Sequence, residues 1–466
     1  MTRTQVAIIG GGPVGLTTSI ALSERGVANH VLERHHDLFH LPRAIVMDAE
    51  IHRTLIALGL GEGLEPLLTP MTRADFVDGA GNELMGIDVG QIKLLGVPIV
   101  SCHYQPDLDQ FLLNEARGRG ADVRMGVAVV GHEELGDGVL LTLDDGSRIV
   151  AEYVVACDGA NSETRRRLGI SMFDLQFEQD WIVVDAEVSG SSRDRLPDAT
   201  RQVCDPNRPT TLVRGHRHHY RWEFQVQSNE SPSDLNTVDG VWGLLAPWVS
   251  RDDVRIIRHA AYRFRGVVAE SMRSGRVLLA GDSAHQMPPF MGQGLNSGMR
   301  DAFNLSWKLA LVLRGSVSSK LLDTYGTERI AHATSVVHHS VDTGRLIDQL
   351  AGRTTHGGDD SAGYGGSRPQ PRLGPSVICD ADDSAGAVWP RLHEIDQSFM
   401  AEGRFAVVVP TPLTAPIDFM GGSPVIAEGH RENRWILLRP DGYVATTQSD
   451  EGSLRSWIER AQRALV

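Results

Sequence analysis

Gln5-Val6-Ala7-Ile8-Ile9-Gly10-Gly11-Gly12-Pro13-Val14-Gly15 decides how this chain begins. A short β-branched run ends at Gly10 and reads as a buried parallel strand. Behind the glycines, Leu16 and Ile20 lie four apart on a helical face that closes at Gly26, a residue suited to a left-handed cap. His30-Val31-Leu32-Glu33 supplies a second strand, so the opening segment draws a βαβ unit.

The glycine spacing Gly10-x-Gly12-x-x-Gly15 gains its meaning from that setting. Gly10 permits the tight turn, Gly12 lets a pyrophosphate approach the backbone, and Gly15 lets helix pack closely on strand. The helix start then offers free N–H groups and a positive dipole end to phosphate. Glu33 ends the second strand, where an acid accepts hydrogen bonds from a ribose 2′-hydroxyl and disfavours a 2′-phosphate.

Outward from this unit the chain leaves and returns twice. Residues 72–101 are broken by Gly79, Gly81, Gly86, Gly90 and Gly96 into hairpin-sized apolar pieces. Gln105 to Arg117 is helical in spacing, with Leu108, Leu112 and Ala116 on one face. Val139–Leu143, the Asp145-Gly146 turn and Ile149–Ala156 form a hairpin leading back. Strands dominate again from about 176 to 270, before Val277-Leu278-Leu279-Ala280 and a helix carrying Ala302, Leu305, Leu309 and Val312 on one face, closed by Gly315.

The expected class is α/β plus α+β. A discontinuous dinucleotide-binding domain takes 1–71, 102–175 and 273–351, with an interleaved antiparallel-sheet domain from 72–101 and 176–272. A Gly-, Ser-, Pro- and Asp-rich linker covers 352–374, and a small domain takes 375–466.

Composition closes off other classes. With 466 residues, 41% hydrophobic and 22% charged, the chain has a sizeable core and little room for extensive disorder. A net charge of −14 opposes a sequence-independent grip on nucleic acid. Cys102, Cys157, Cys204 and Cys379 form no C-x-x-C pair, which points to a reducing compartment and neither a zinc ribbon nor a dithiol motif. The N-terminal apolar run is too brief for a signal segment, and no stretch is long enough to span a membrane, so a cytoplasmic protein is expected. His216-x-His218 and His338-His339 lack a matching third ligand, so no metal is expected, and no Gly-x-Ser-x-Gly elbow supports a serine hydrolase.

Two further motifs carry chemistry. Cys157-Asp158-Gly159-Ala160-Asn161-Ser162 follows an apolar strand, placing a carboxylate and a glycine where open α/β sheets bind ligands. The longer stretch Gly281-Asp282-Ser283-Ala284-His285-Gln286-Met287-Pro288-Pro289-Phe290-Met291-Gly292-Gln293-Gly294-Leu295-Asn296 combines an acidic turn, a stiff proline pair and a glycine-flanked helix start.

Together the three motifs resemble those of the single-component, FAD-dependent aromatic hydroxylases with the para-hydroxybenzoate hydroxylase fold. The stretch His285 to Gly294 is especially similar to the 3-(3-hydroxyphenyl)propionate hydroxylase branch, and the likeness covers residues 1 to about 345. The tail around Trp435 to Ala445 resembles the thioredoxin-like end domain of phenol hydroxylase relatives, here without redox cysteines. The resemblance implies bound FAD, NADH or NADPH and O2 as co-substrates, a small aromatic substrate, and a homodimer as one assembly. It implies that Gly10, Gly12, Gly15, Glu33 and Arg34 hold the ADP half, that Arg43 lies beside the flavin and that Gln105 lies near the ribityl chain. It further implies that Asp158 and Gly159 serve both FAD and the nicotinamide donor, and that Asp282 meets the ribityl or phosphate region. Pro288 and the amides of Gly292, Gly294, Leu295 and Asn296 would then border the isoalloxazine.

In this class the flavin takes a hydride, reacts with O2 to a C4a-hydroperoxide and delivers oxygen to an electron-rich ring. A second dinucleotide fingerprint is absent from the sequence, which favours a hydroxylase over a reductase with its own nicotinamide domain. A larger polycyclic or heteroaromatic substrate stays open, as does a flavin-dependent reductase without oxygen insertion. A phenol has a pKa of about 10, so only ~0.1% is ionised at pH 7 and a base or phenolate donor is expected. The residues His216, His218, His219, Tyr220, Arg221 and His259 supply candidates, and strand alternation lets either His218 with Tyr220, or His219, face the pocket. His218, Tyr220 and Pro288 are the catalytic candidates.

Overall fold

The structure is a computed structural model that describes residues 2–353, 370–382, 384–428 and 433–465. Most of the expected linker, 354–369, lies outside the described residues.

The strand Thr2–Ile9 is the hub of the first sheet, paired in parallel with Asn29–Glu33 on one side and Arg148–Ala156 on the other. Asp122–Met125 extends one edge, while Val139–Leu143 and Val129–Glu134 extend the other. Val277–Leu279 also joins Arg148–Ala156 in parallel. The hub strand reads as an apolar run because both its faces are covered: Val6, Ala7 and Ile8 are fully buried.

The helix Pro13–Glu24 starts with proline at its first turn, and Leu16, Ile20 and Leu22 are all fully buried. Each such side chain contributes about 1.5–3 kcal/mol relative to exposure. Leu16 and Ile20 pack with Leu108 and Leu112 of the helix Gln105–Gly118 and with Met299 of the helix Gln293–Leu313. That last helix crosses close by: a Cβ on Gly298 would lie 2.6 Å from the Val14 side chain and 3.1 Å from the Gly281 Cα.

The second sheet runs His285–Gln286, Val254–Ala269, Met172–Val188, His219–Gln225, Thr210–Arg214, Thr200–Cys204, Arg73–Asp78 and Glu83–Asp88. Residues 73–88 join it through a parallel pairing of Arg73–Asp78 with Thr200–Cys204. His285–Gln286, inside the long motif, adds an edge strand against Val267 and Val268. The motif therefore couples the two sheets, which its sequence did not disclose.

One face of this sheet is an apolar core: Ile182, Val184, Tyr220, Trp222 and Phe224 pack with Val241 and Leu245 of the helix Val238–Leu245. The other face is turned towards the loop at residues 42–43 and is polar, as the site requires.

The tail forms a thioredoxin-like four-stranded sheet, Val425–Glu428, Ala406–Val409, Trp435–Leu438 and Val444–Gln448, with the helix Glu451–Ala464 against it. It docks through buried charge. Glu328 Oε2 lies 2.7 Å from Lys308 Nζ and 2.9 Å from Arg439 Nη2, all three residues being fully buried. A second tie runs from the Tyr443 hydroxyl to Glu50, whose carboxylate pairs with Arg300 at 2.7 Å.

Candidate active site

The three motifs converge at the carboxyl ends of the parallel strands. Gly10 takes φ 110°, and a Cβ there would stand 2.3 Å from the Cys157 carbonyl oxygen. A Cβ on Gly15 would stand 2.0 Å from the Gly10 carbonyl oxygen, whereas one on Gly12 would meet nothing within 4 Å. Gly10 and Gly15 are thus bound by protein packing, while Gly12 borders open space at the helix start. That is the cradle a pyrophosphate needs.

Glu33 is held at its rim: Oε2 accepts the Gly11 N–H at 2.7 Å and Oε1 accepts the His35 N–H at 2.9 Å. Arg34 is exposed beside it, with Nε 3.2 Å from the His35 ring. Asp158 accepts the Thr164 N–H at 3.0 Å through Oδ2, and its Oδ1 is buried with no partner among the described residues. Gly159 follows with φ 80° and no neighbour within 4 Å of a Cβ.

Asp282 is reached by solvent and lies in the short turn Gly281–Ser283. Surrounding protein pushes its carboxyl above the usual value, and the charges of His285 and Arg43 oppose that push. Arg43 and Asp282 therefore feel each other across the groove. The Arg43 guanidinium stacks over Phe39 at 4.7 Å, while the backbone N–H groups of Arg43 and Ala44 donate to the side-chain oxygen of the buried Gln105. Gln105 fixes the loop of Arg43 by these bonds.

The Gln293–Leu313 helix begins after Gly292, whose φ of 62° places it in the left-handed region. Asn296 clamps that start to the strand Val46–Asp48, donating to the Val46 carbonyl at 3.0 Å and accepting the Asp48 N–H at 2.9 Å. Its side chain is committed to protein. The amides of Gly294 and Leu295 lie in the first turn, where helical N–H groups lack intrahelical partners, and a Cβ on Gly294 would meet nothing within 4 Å. Open space at Gly12 and Gly294 and the orphaned Asp158 oxygen fit an extended dinucleotide cofactor.

On the polar face of the second sheet, Arg221 and His219 both engage Asp185, with 2.8 Å from each to Oδ1. Burial pushes the Asp185 carboxyl up, but Arg221 and His219 bring it below its ordinary value. Arg221 also donates to the carbonyls of Pro42 and Arg43. His103 lies buried with neither ring nitrogen bonded among the described residues, and burial with nearby His219 and His216 holds it neutral, down to about 3. Glu223, one residue pair further along the same face, is buried and pushed up to about 7 by that burial, Arg221 opposing and Asp185 reinforcing. Phe290, after the buried Pro288, packs edge-on to Trp181 at 5.3 Å.

The expectation for His218 and Tyr220 is corrected. His218 sits in the turn before the strand, exposed, with Nδ1 2.7 Å from Arg193. Tyr220 points to the opposite face, into the core with Trp222 and Val241. Alternation puts His219, Arg221, Glu223 and Gln225 on the face that meets the groove. Asp185, Glu223 and Trp181, which the sequence does not single out, lie on the same pair of strands. The available signal was a polar residue at every second position of a strand buried along its whole length.

A hollow of about 620 Å3 lined by Glu270, Arg273, Asp323 and Ile330 lies at the amino end of the strand Val277–Leu279, away from this groove. No group of three or more potential metal ligands occurs among the described residues. No helix among them is long and apolar enough to cross a membrane.

Known proteins point the same way. The FAD binding domain family matches residues 3–340. A probable NADH-specific resorcinol 4-hydroxylase of Rhodococcus jostii is 32% identical, with 96% of this chain and 93% of that protein covered. A 3-(3-hydroxy-phenyl)propionate/3-hydroxycinnamic acid hydroxylase of a Mycobacterium species is 37% identical over 74% of this chain, and the match spans 61% of that relative's length. Among solved structures, aklavinone-11 hydroxylase in complex with FAD and aklavinone superposes with a TM-score of 0.83 at 22% identity, covering 99% of both chains. A cradle for an extended dinucleotide beside a buried polar sheet face thus has its counterpart in sequence, and the chain belongs to the FAD binding domain family, among the FAD-dependent aromatic hydroxylases.

Proposed function

We propose that this enzyme hydroxylates a small monocyclic phenol, using FAD, NADH and O2. The observation that carries the reading is the placement of an open glycine cradle and a helix start opposite a buried polar sheet face. Gly10, Gly12, Gly15 and Glu33, with Arg34 at the rim, would hold the ADP half. Arg43, Asp158, Gly159 and Asp282 would line the middle of the cofactor, with Gln105 positioning Arg43. Pro288 and the amides of Gly292, Gly294, Leu295 and Asn296 would border the ring system. Bound FAD supplies hydride acceptance and oxygen activation, which no side chain provides.

The chain's own task is to orient the ring, exclude water and manage one proton. Arg221 is already paired with Asp185, which favours a neutral phenol over a ring bearing a carboxylate. The near full-length match to the resorcinol 4-hydroxylase supports the same choice, and NADH as donor. Four unpaired cysteines support a cytoplasmic setting.

The test is a panel of phenols, with resorcinol and 3-(3-hydroxyphenyl)propionate as the leading pair, assayed on FAD-loaded protein. NADH loss should rise with the cognate phenol, and product formed under 18O2 should carry the label. Unlabelled product, or NADH loss indifferent to every phenol, overturns the reading.

A further inference from the structure

The polar sheet face holds one acid with no assigned work. Glu223 is 4% exposed and its carboxylate makes no hydrogen bond among the described residues. The polar side chains next to it on this face of the strands have partners of their own. Across the strands it pairs with Val183 and Thr211, and the Thr211 hydroxyl donates to Gln202. Two residues away on one side, Arg221 is held by Asp185; on the other, Gln225 bonds Asp348 and Arg353. An acid this buried and without a protein partner is unfavourable, so a donor that completes it on binding is its natural partner.

The strand face that carries Glu223 adjoins the groove. Arg221, on the same strand face, holds the carbonyls of Pro42 and Arg43 in the loop that opposes Asp282. Trp181, cross-strand from Gln225, touches Phe290 in the long motif. Glu223 thus lies between the two loops that would flank the flavin ring.

We infer that Glu223 is the catalytic residue that takes the proton from the phenolic hydroxyl of the substrate, an inference that rests on the hydroxylase reading above. The phenol O–H bond breaks, a carboxyl O–H bond forms on Glu223, and the electron pair stays on the phenolate oxygen. That pair raises electron density at the ring carbons ortho and para to it. The proton leaves to solvent after turnover, restoring the carboxylate.

Its raised proton affinity suits the task, since a base near 7 is far better matched to a phenol of about 10 than an ordinary carboxylate. The charged groups that act on it are Arg221 on its own strand and Asp185 on Met172–Val188, while Asp348 on Asp323–Leu350 and Arg353 beyond that helix meet the next residue of this face, Gln225. Thr211 and Gln202 bring no charge.

The experiment measures kcat/KM for resorcinol against pH on FAD-loaded wild type, E223Q and E223D. Wild type should show a limb rising with pH through about 7, because only the ionised carboxylate accepts the proton. E223Q should lose that limb and about 10²- to 10⁴-fold in rate at pH 7, recovering only towards the phenol's own pKa of about 10. E223D should keep a limb at reduced rate. A second readout needs no turnover: 4-nitrophenol bound to wild type should ionise in two coupled steps because it shares a proton with Glu223, seen in the difference spectrum, and should ionise in a single step on E223Q.

A wild type without the limb, or an E223Q profile matching wild type at equal FAD content, overturns the inference. If E223Q fails to hold FAD, the wild-type profile and nitrophenol spectrum decide alone. Failure to form labelled product in wild type sinks the hydroxylase reading instead, and leaves the nitrophenol result to judge Glu223 separately.

Discussion

Arg221 and Asp185 form a two-point pair, Nε to Oδ1 at 2.8 Å and Nη2 to Oδ2 at 2.9 Å, with the carboxylate fully buried. The same guanidinium holds the carbonyls of Pro42 and Arg43, so one ion pair ties the second sheet to the groove loop. D185N strands a buried cation and should lower unfolding stability by about 3–5 kcal/mol. D185N combined with R221M removes both charges and should recover much of that loss. Urea unfolding of the three proteins checks this, and a double variant as unstable as D185N contradicts it.

Gly12 and Gly15 separate cofactor binding from folding. G15A drives a Cβ against the Gly10 carbonyl oxygen, 2.0 Å away, so both apo stability and FAD binding should fall. G12A meets only open space, so the apo protein should melt as wild type does, while FAD affinity drops by about tenfold or more, roughly 1.4 kcal/mol. Thermal melts of the stripped proteins with FAD fluorescence titrations test the split. A G12A that binds FAD normally would show that the pyrophosphate does not approach there.

This contrast also marks what the sequence could disclose. The Gly10–Gly15 spacing works through backbone conformation over a few residues, so local reading sufficed to place the strand, turn and helix. The polar face of His219, Arg221 and Glu223 depends on which side of an eight-stranded sheet meets the first domain. Alternation divided His218 and Tyr220 from His219 but gave no sign of which set faces inward. The deciding partner, the helix Val238–Leu245 that buries Tyr220, lies in another segment. Likewise, the resemblance implies cofactor neighbours in Gln105 and Asn296, while their side chains hold the Arg43 loop and the strand Val46–Asp48. Such contacts bridge 61 and 250 residues and leave no local pattern.

Glu328 predicts an acid weakness. Burial alone would raise its carboxyl, but Arg439 and Lys308 hold it down to about 2 from 4.5. A depressed acid stabilises the fold above its unfolded value, and that support is lost as pH falls from 4.5 towards 2. The whole contribution is roughly 3 kcal/mol, most of it gone by pH 3. Because Arg439 and Ser376 approach Glu328 from the tail, loosening of the end domain should accompany acidification. Urea midpoints at pH 5 and pH 3 should diverge in wild type and converge in E328Q; equal slopes in both proteins refute the assignment.

Glu223 predicts the opposite sign. Burial lifts its carboxyl to about 7 from 4.5, so the folded state keeps a proton that the unfolded chain releases in that interval. Stability then falls as pH rises from 4.5 to 7, with full effect above, by roughly 3 kcal/mol. Glutamine does not titrate, and any fixed penalty for burying its amide is the same at every pH. The stability of E223Q relative to wild type should therefore improve by about 3 kcal/mol between pH 4 and pH 8. Denaturation of both proteins, stripped of FAD so that ligand binding adds nothing, measures that difference. A difference constant with pH would mean that the carboxyl titrates as an ordinary exposed acid, and that the fold pays no cost for keeping it beside the groove.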